Sequence, residues 1–149
     1  MSPPAPVSSV TAFADCICSM AESLGHLFSR PNHGWQASMF LYLDSELLVV
    51  DAPLPEGDDA ASAAFAEALI HRHHPLHVAF LDNPPPGDTV PEVLRVAYAG
   101  RGVEGLRTAP VLRYPDRPPT LGRFTEEAGA PGRWPMAGVL RQALGGDVT

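Results

Sequence analysis

Apolar residues recur at spacings of three and four from Val10 onward: Val10, Phe13, Ile17, Met20, Leu24 and Leu27. That period predicts one stripe of an amphipathic helix, with Asp15, Ser19, Glu22 and His26 mainly on its other faces. Ser8 or Ser9 offers the N-cap, and Gly25 with the Ser29-Arg30-Pro31-Asn32 run ends the helix. The period then changes to two. Gln36–Leu43 and Leu47–Asp51 are β-rich runs split by Asp44-Ser45-Glu46, which predicts an antiparallel hairpin. Both faces of the first run (Met39, Leu41, Leu43 against Phe40, Tyr42) and most of the second are apolar. A strand apolar on both sides belongs in the middle of a covered sheet.

Pro53, Pro55 and Gly57 break the chain, and Asp58 or Asp59 caps an alanine-rich helix over 59–74. Its expected stripe is Ala61, Phe65, Ala68 and Leu69, and Pro75 stops it. Leu76–Leu81 reads as a short strand ending at Asp82, followed by the rigid loop Asn83–Asp88. Val93–Ala99 and Leu106–Tyr114 are further strands, turned by Gly100-Arg101-Gly102, and Pro110 marks an edge position or a bulge. Residues 115–133 hold four prolines and three glycines, with a strand at Leu121–Phe124. Trp134–Leu144 reads as a last helix, with Pro135 in its first turn and Gly145 at its end.

The expected class is therefore α+β, in the order α-β-β-α-β-β-β-α, with a mixed, mostly antiparallel sheet of about five strands and helices packed on it. Residues 1–7 read as a proline-rich flexible arm and 8–149 as one domain. This element order resembles roadblock-, profilin- and longin-like domains, a resemblance that implies an interaction module.

Composition narrows the class further. Apolar residues make up 45% of the 149 positions, enough for a core and too many for a disordered chain. A net charge of −7 argues against nucleic acid as a partner. No apolar run approaches the roughly 20 residues of a membrane span, and the N-terminus lacks the basic residue of a secretory signal. Cys16 and Cys18 make no disulfide framework; two apart on a helix, they face different ways and read as buried small hydrophobes. These features point to a reducing, bacterial-type cytoplasm.

Charge is segregated along the chain. There is no lysine, and eight of the ten arginines lie between Arg95 and Arg141. The first 94 residues hold twelve acids and two arginines, a balance of −10; the last 55 hold eight arginines and five acids, a balance of +3. A GC-rich genome accounts for missing lysine but leaves the clustering unexplained. Arg95, Arg101, Arg107, Arg113, Arg117 and Arg123 fall on the expected meander of strands. They either offer a face to a partner or neutralise the acidic part of their own chain. Arg107 and Arg113, six apart, share a strand face unless Pro110 breaks the parity. Arg101 between two glycines suits an anion as well as a plain turn.

Other chemistry is sparse. His71, His73, His74 and His77 cluster, and His71 and His74 share a helix face. With Asp51 and Asp82, which end two successive strands, they form the candidate metal set. The plainer reading is dipole-favoured histidines at a helix C-terminus and turn-forming aspartates. Asp82-Asn83-Pro84-Pro85 resembles the Asn-Pro-Pro-aromatic motif of amino-methyltransferases. The aromatic position is Pro86, and no Gly-rich cofactor loop precedes it. No cofactor is implied. The expectation is a non-enzymatic adaptor, secretion-type chaperone or immunity-like protein. It would bind a protein partner or itself through Arg101, Arg107 and Arg113. The alternative is a small metal- or anion-binding enzyme using Asp51, Asp82, His71 and His74.

Overall fold

The computed structural model describes residues 9–28, 35, 37–52, 58–84, 91–117, 119–127 and 134–145, with only the backbone of 24–28. The proline-rich arm over 1–7 and the helix-ending run at 29–32 lie outside these residues. The elements are α1 (Val10–Phe28), β1 (Ser38–Tyr42), β2 (Leu47–Asp51), α2 (Asp59–His73), β3 (His77–Asp82), β4 (Val93–Gly100), β5 (Val103–Leu112), β6 (Thr120–Leu121), β7 (Thr125–Glu126) and α3 (Met136–Leu144). The class is α+β, as the periodicity predicts. The expected strand at Leu121–Phe124 is instead two short pairings, β6 and β7, which raises the sheet to seven strands.

Local chemistry explains the helix ends. Ser9 Oγ accepts from the Ala12 backbone N–H at 3.1 Å, and an Asp58 carboxylate oxygen accepts from that of Ala61 at 2.9 Å. Helix α1 continues through Gly25 to Phe28, so that glycine does not end it. His74 closes α2 in the left-handed conformation, φ 49°, donating its N–H to the Ile70 carbonyl.

The sheet runs β2-β1-β3-β4-β5-β6, with β7 also on β5, and every pairing is antiparallel. Because β2 and β3 both pair antiparallel with β1, they run parallel to each other. The connection through α2 therefore crosses β1. Helix α1 covers one face with Val10, Phe13, Ala14 and Ile17 against Phe40, Ala79, Leu94, Val96 and Tyr98. Helices α2 and α3 cover the other with Ala66, Ile70, Met136 and Leu140 against Met39, Leu41, Val78, Phe80 and Leu106. Each large side chain so buried contributes about 1.5–3 kcal/mol. The buried stripe of α2 is Ser62, Ala66 and Ile70, flanked by Phe65 and Leu69; Ala68, expected inside, is exposed. In an alanine-rich helix several faces are nearly equal in hydrophobicity, so packing against α3 selects one.

Pro110 occupies a position where a missing N–H costs nothing. Val111 donates to the Glu92 carbonyl, so by alternation the nitrogen of Pro110 points away from β4, into the gap between β6 and β7.

Two glycines give opposite expectations. A Cβ at Gly105 would lie 2.2 Å from Tyr98 Oη, because the phenol folds across β5 at that residue. At Gly138, in α3, the nearest atom would be a Glu104 oxygen at 3.6 Å. Gly105→Ala should lower the unfolding free energy by about 1–3 kcal/mol through overpacking. Gly138→Ala should raise it by about 0.5–1 kcal/mol through backbone entropy. Urea denaturation checks both, and equal effects of the two substitutions would contradict this packing.

Candidate functional site

The arginines are built into the fold. Arg95, on β4, donates to both carboxylate oxygens of Asp82 on β3, at 2.6 and 3.0 Å. Asp59, in the first turn of α2, lies 3.8 Å from the same guanidinium, and the Trp134 ring lies 3.7 Å from it as a cation–π partner. Burial pushes the Asp82 carboxyl above its usual range, against the pull of Arg95. On the opposite face Arg107 pairs with Asp15 of α1 and, at 3.0 Å, with Glu126 of β7. The same Glu126 accepts from the Tyr98 hydroxyl at 2.7 Å and from the Leu106 N–H at 3.2 Å. Burial and this carboxylate push the Tyr98 phenol up to about 12, and burial pushes the Cys18 thiol up to about 11. A thiol held that high is protonated at neutral pH and a poor nucleophile.

Arg113 lies just past the end of β5 and donates to Glu92 at 2.7 Å. Asn83 donates to Glu92 at 3.1 Å and accepts from the Trp35 N–H at 3.2 Å. Arg141 of α3 pairs with Glu104 of β5 at 3.1 Å. Arg95, Arg107 and Arg113 thus each reach an acid from the first 94 residues. Of the ligand-binding candidates, Arg107 and Arg113 are engaged internally. Arg101 stands exposed in the β4–β5 turn, in no ion pair among the described residues. Arg117 stacks on Tyr114 at 3.9 Å.

The proposed metal ligands are not brought together. Asp51 and Asp82 do reach the same end of the sheet, since β2 and β3 are parallel. They sit on opposite faces: Asp51 pairs with Ser38, Ser38 with Leu81 of the α1-side core, and Asp82 is the next residue. One intervening strand adds about 10 Å of lateral separation. His71 and His74 are exposed at the C-terminal end of α2, beside the start of β3 and about 17 Å of strand away from its end at Asp82. Among the described residues no three His, Cys, Asp or Glu side chains gather as a metal set. Cys18 is buried as expected, but Cys16, also expected to be buried, is exposed, because two residues apart on α1 they face different ways.

A different feature emerges at β2. The strand expected to be covered on both faces, β1, does lie inside the sheet; β2, mostly apolar as well, is an edge. Leu48 and Val50 face the α2 side and pack on its core, while Leu47 and Val49 face the α1 side and remain 42% and 50% exposed. Among the described residues helix α1 packs mainly over β4, β3 and β6 rather than over that flank. Other exposed large apolar residues, Leu76, Val103 and Leu112, are scattered singly.

The backbone there has a definite polarity. Leu43 N–H donates to the Glu46 carbonyl and Ala52 N–H to that of Ala37, both at 2.8 Å. Alternation between these bonds turns the N–H and C=O of residues 48 and 50 toward β1. Those of Leu47, Val49 and Asp51 point away, where no described residue pairs with them. The sequence signal was present in Leu47–Asp51: a strand apolar on both faces whose neighbours supply cover for only one.

Comparison with known proteins finds no matching family, no matching curated protein and no matching solved structure. No helix among the described residues is long and apolar enough to cross a membrane.

One ion pair gives a pH expectation. Hydrogen bonds from Arg113 hold the Glu92 carboxyl below its usual range, against partial burial. A folded pKa below the unfolded one stabilises fully above the unfolded value, and the gain is lost as pH falls through the folded one. Glu92→Gln should cost about 1 kcal/mol at neutral pH, with half-exposed Arg113 limiting the effect. The cost should fade as the solution is acidified through the carboxylate range. Urea denaturation of both proteins across that range measures it; a difference that persists in acid would rule out the ion pair as its source.

Proposed function

We propose that the chain is a non-enzymatic protein-interaction module whose receiving surface is the free edge and bare flank of β2. One observation carries this reading: outward N–H and C=O groups at Leu47, Val49 and Asp51 coincide with exposed Leu47 and Val49 side chains. Such an edge takes up an extended segment by adding a strand; backbone bonds supply affinity and side chains specificity. The segregated arginines support the same shift of surface. Arg95, Arg107 and Arg113 have carboxylate partners within the chain, which makes them structural cement rather than an offered face. An adaptor, chaperone or immunity-like role in a bacterial-type cytoplasm accords with the acidic charge and the two free thiols.

The test is to pan the full chain and its Val49→Pro variant against a library of random linear peptides. Proline at 49 removes an outward N–H and leaves the bonds to β1 in place. Peptides enriched on the parent should bind Val49→Pro at least about tenfold more weakly, a loss of roughly 1.4 kcal/mol, with thermal unfolding unchanged. Val49→Lys, an edge-blocking charge, supplies a second variant if the proline disturbs the hairpin. Failure to enrich any peptide, or equal binding to folded edge variants, would remove the reading.

A further inference from the structure

The β2 edge also carries a charge pattern that selects its occupant. We infer that it receives an extended segment of another protein with an apolar centre and a basic residue at each end. This inference rests on the interaction-module reading and specifies the partner's chemistry.

The four central residues of β2 and its approaches are Leu47, Leu48, Val49 and Val50. Acids bracket them: Asp44 and Glu46 at the turn and Asp51 at the other end, all exposed. None of these acids forms an ion pair among the described residues. That sets them apart from Asp15, Asp59, Asp82, Glu92, Glu104 and Glu126, each of which is matched to an arginine. Among the described residues Asp51 accepts a long hydrogen bond, 3.4 Å, from Ser38 Oγ. Glu22, Asp58, Glu67 and Asp116 also lie outside these ion pairs, but Asp44, Glu46 and Asp51 are the ones placed at the two ends of the open edge. A strand laid along it places apolar side chains beside Leu47 and Val49 and its end residues beside the acids. Cross-strand pairs of opposite charge are favourable and like-charged pairs are not. Because both ends are acidic, a parallel and an antiparallel segment meet the same demand.

A second copy of this chain fits less well. Two β2 strands can pair so that Leu47 lies across from Val49 of the other copy. That overlap sets Asp51 across from Ser45, with Asp44 and Glu46 of the other copy on either side. The acids then meet at both ends of the seam, and the hairpin contains no lysine or arginine to separate them. Two five-residue edges also bury far less than the roughly 1,200 Å² a stable dimer needs. A single peptide strand carries the complementary charge itself.

The probe is a capped synthetic peptide of four β-branched apolar residues with a pair of arginines at each end. Its controls replace the arginines with glutamines or with glutamates. Fluorescence anisotropy with the full chain should show the arginine peptide binding at least about tenfold tighter than the glutamine one at low salt. The advantage should shrink at high salt, and Val49→Pro should abolish binding. The triple variant Asp44→Asn, Glu46→Gln, Asp51→Asn should bind the arginine and glutamine peptides alike. Glutamine and arginine peptides binding the parent equally, with Val49→Pro still blocking both, would overturn the basic-ended partner and leave the interaction module standing. No binding by the arginine peptide, while library peptides still bind at Val49, would overturn it in the same way. Sedimentation velocity supplies the rival occupant: a dimer of the parent that Val49→Pro dissociates would assign the edge to a second copy instead.

Discussion

Four consecutive residues of β3, Val78, Ala79, Phe80 and Leu81, are buried, so neither face of the sheet can meet water at its centre. Alternation sends Val78 and Phe80 to one side and Ala79 and Leu81 to the other. One helix layer cannot satisfy both. The chain answers with α1 on one face and with α2 and α3 on the other. The crossing of β1 by the α2 connection follows as well, since α2 must reach the second face between β2 and β3. Cover has a finite width. Among the described residues helix α1 lies mainly over β3, β4 and β6, so cover centred on β3 leaves Leu47 and Val49 of β2 about half exposed.

The arginines solve a second consequence of the same arrangement. A sheet buried on both faces brings polar termini of strands against helix ends, and those groups need partners. Asp82, at the end of β3, is pushed toward protonation by burial and meets Arg95, itself lying on Trp134. Arg107 fastens α1 to β7 across the sheet edge through Asp15 and Glu126. Arginine suits these places because its planar fork serves two acceptors and a ring at once. The segregation of charge along the chain thus becomes layering in space, with acids of the first helices and strands facing guanidiniums of β4 and β5.

Much of this was legible in the residues, and the rest was not for definite reasons. The limits of β2 follow from period and punctuation and stand as expected; the turn expected at Gly100-Arg101-Gly102 is tighter, because Gly100 closes β4 and Val103 opens β5. The α+β class follows from the same signals. The buried face of α2 was not readable, because alanine gives nearly the same signal in every direction. The Asp51–Asp82 relation was half readable. Parallel strands put both at one end, but the register through Ser38 and Leu81, which decides the face, is a property of pairing. Arg107 and Arg113 do not share a strand face as a six-residue spacing requires, because β5 ends at Leu112. The edge position of mostly apolar β2, beside an interior β1 placed as expected, is the informative case. The residues report hydrophobicity on both faces, and only topology shows that one face has no cover.

The two margins of the sheet are treated differently, and that contrast gives the β2 edge its meaning. At the far margin β5 is guarded: Pro110 withdraws a donor, and β6 and β7 cap the strand in two short pieces. Proline and short flanking strands are among the devices that keep an edge from templating another strand. At β2 neither device is present: the strand is five residues long, contains no proline, and is apolar except at its end. Among the described residues its guards are the acids that bracket it; like charge disfavours pairing with a copy of the same acidic hairpin, and opposite charge would favour a basic segment. Negative charge there protects the chain from itself without closing the edge to a partner of opposite sign, which is what distinguishes a selective edge from an unprotected one.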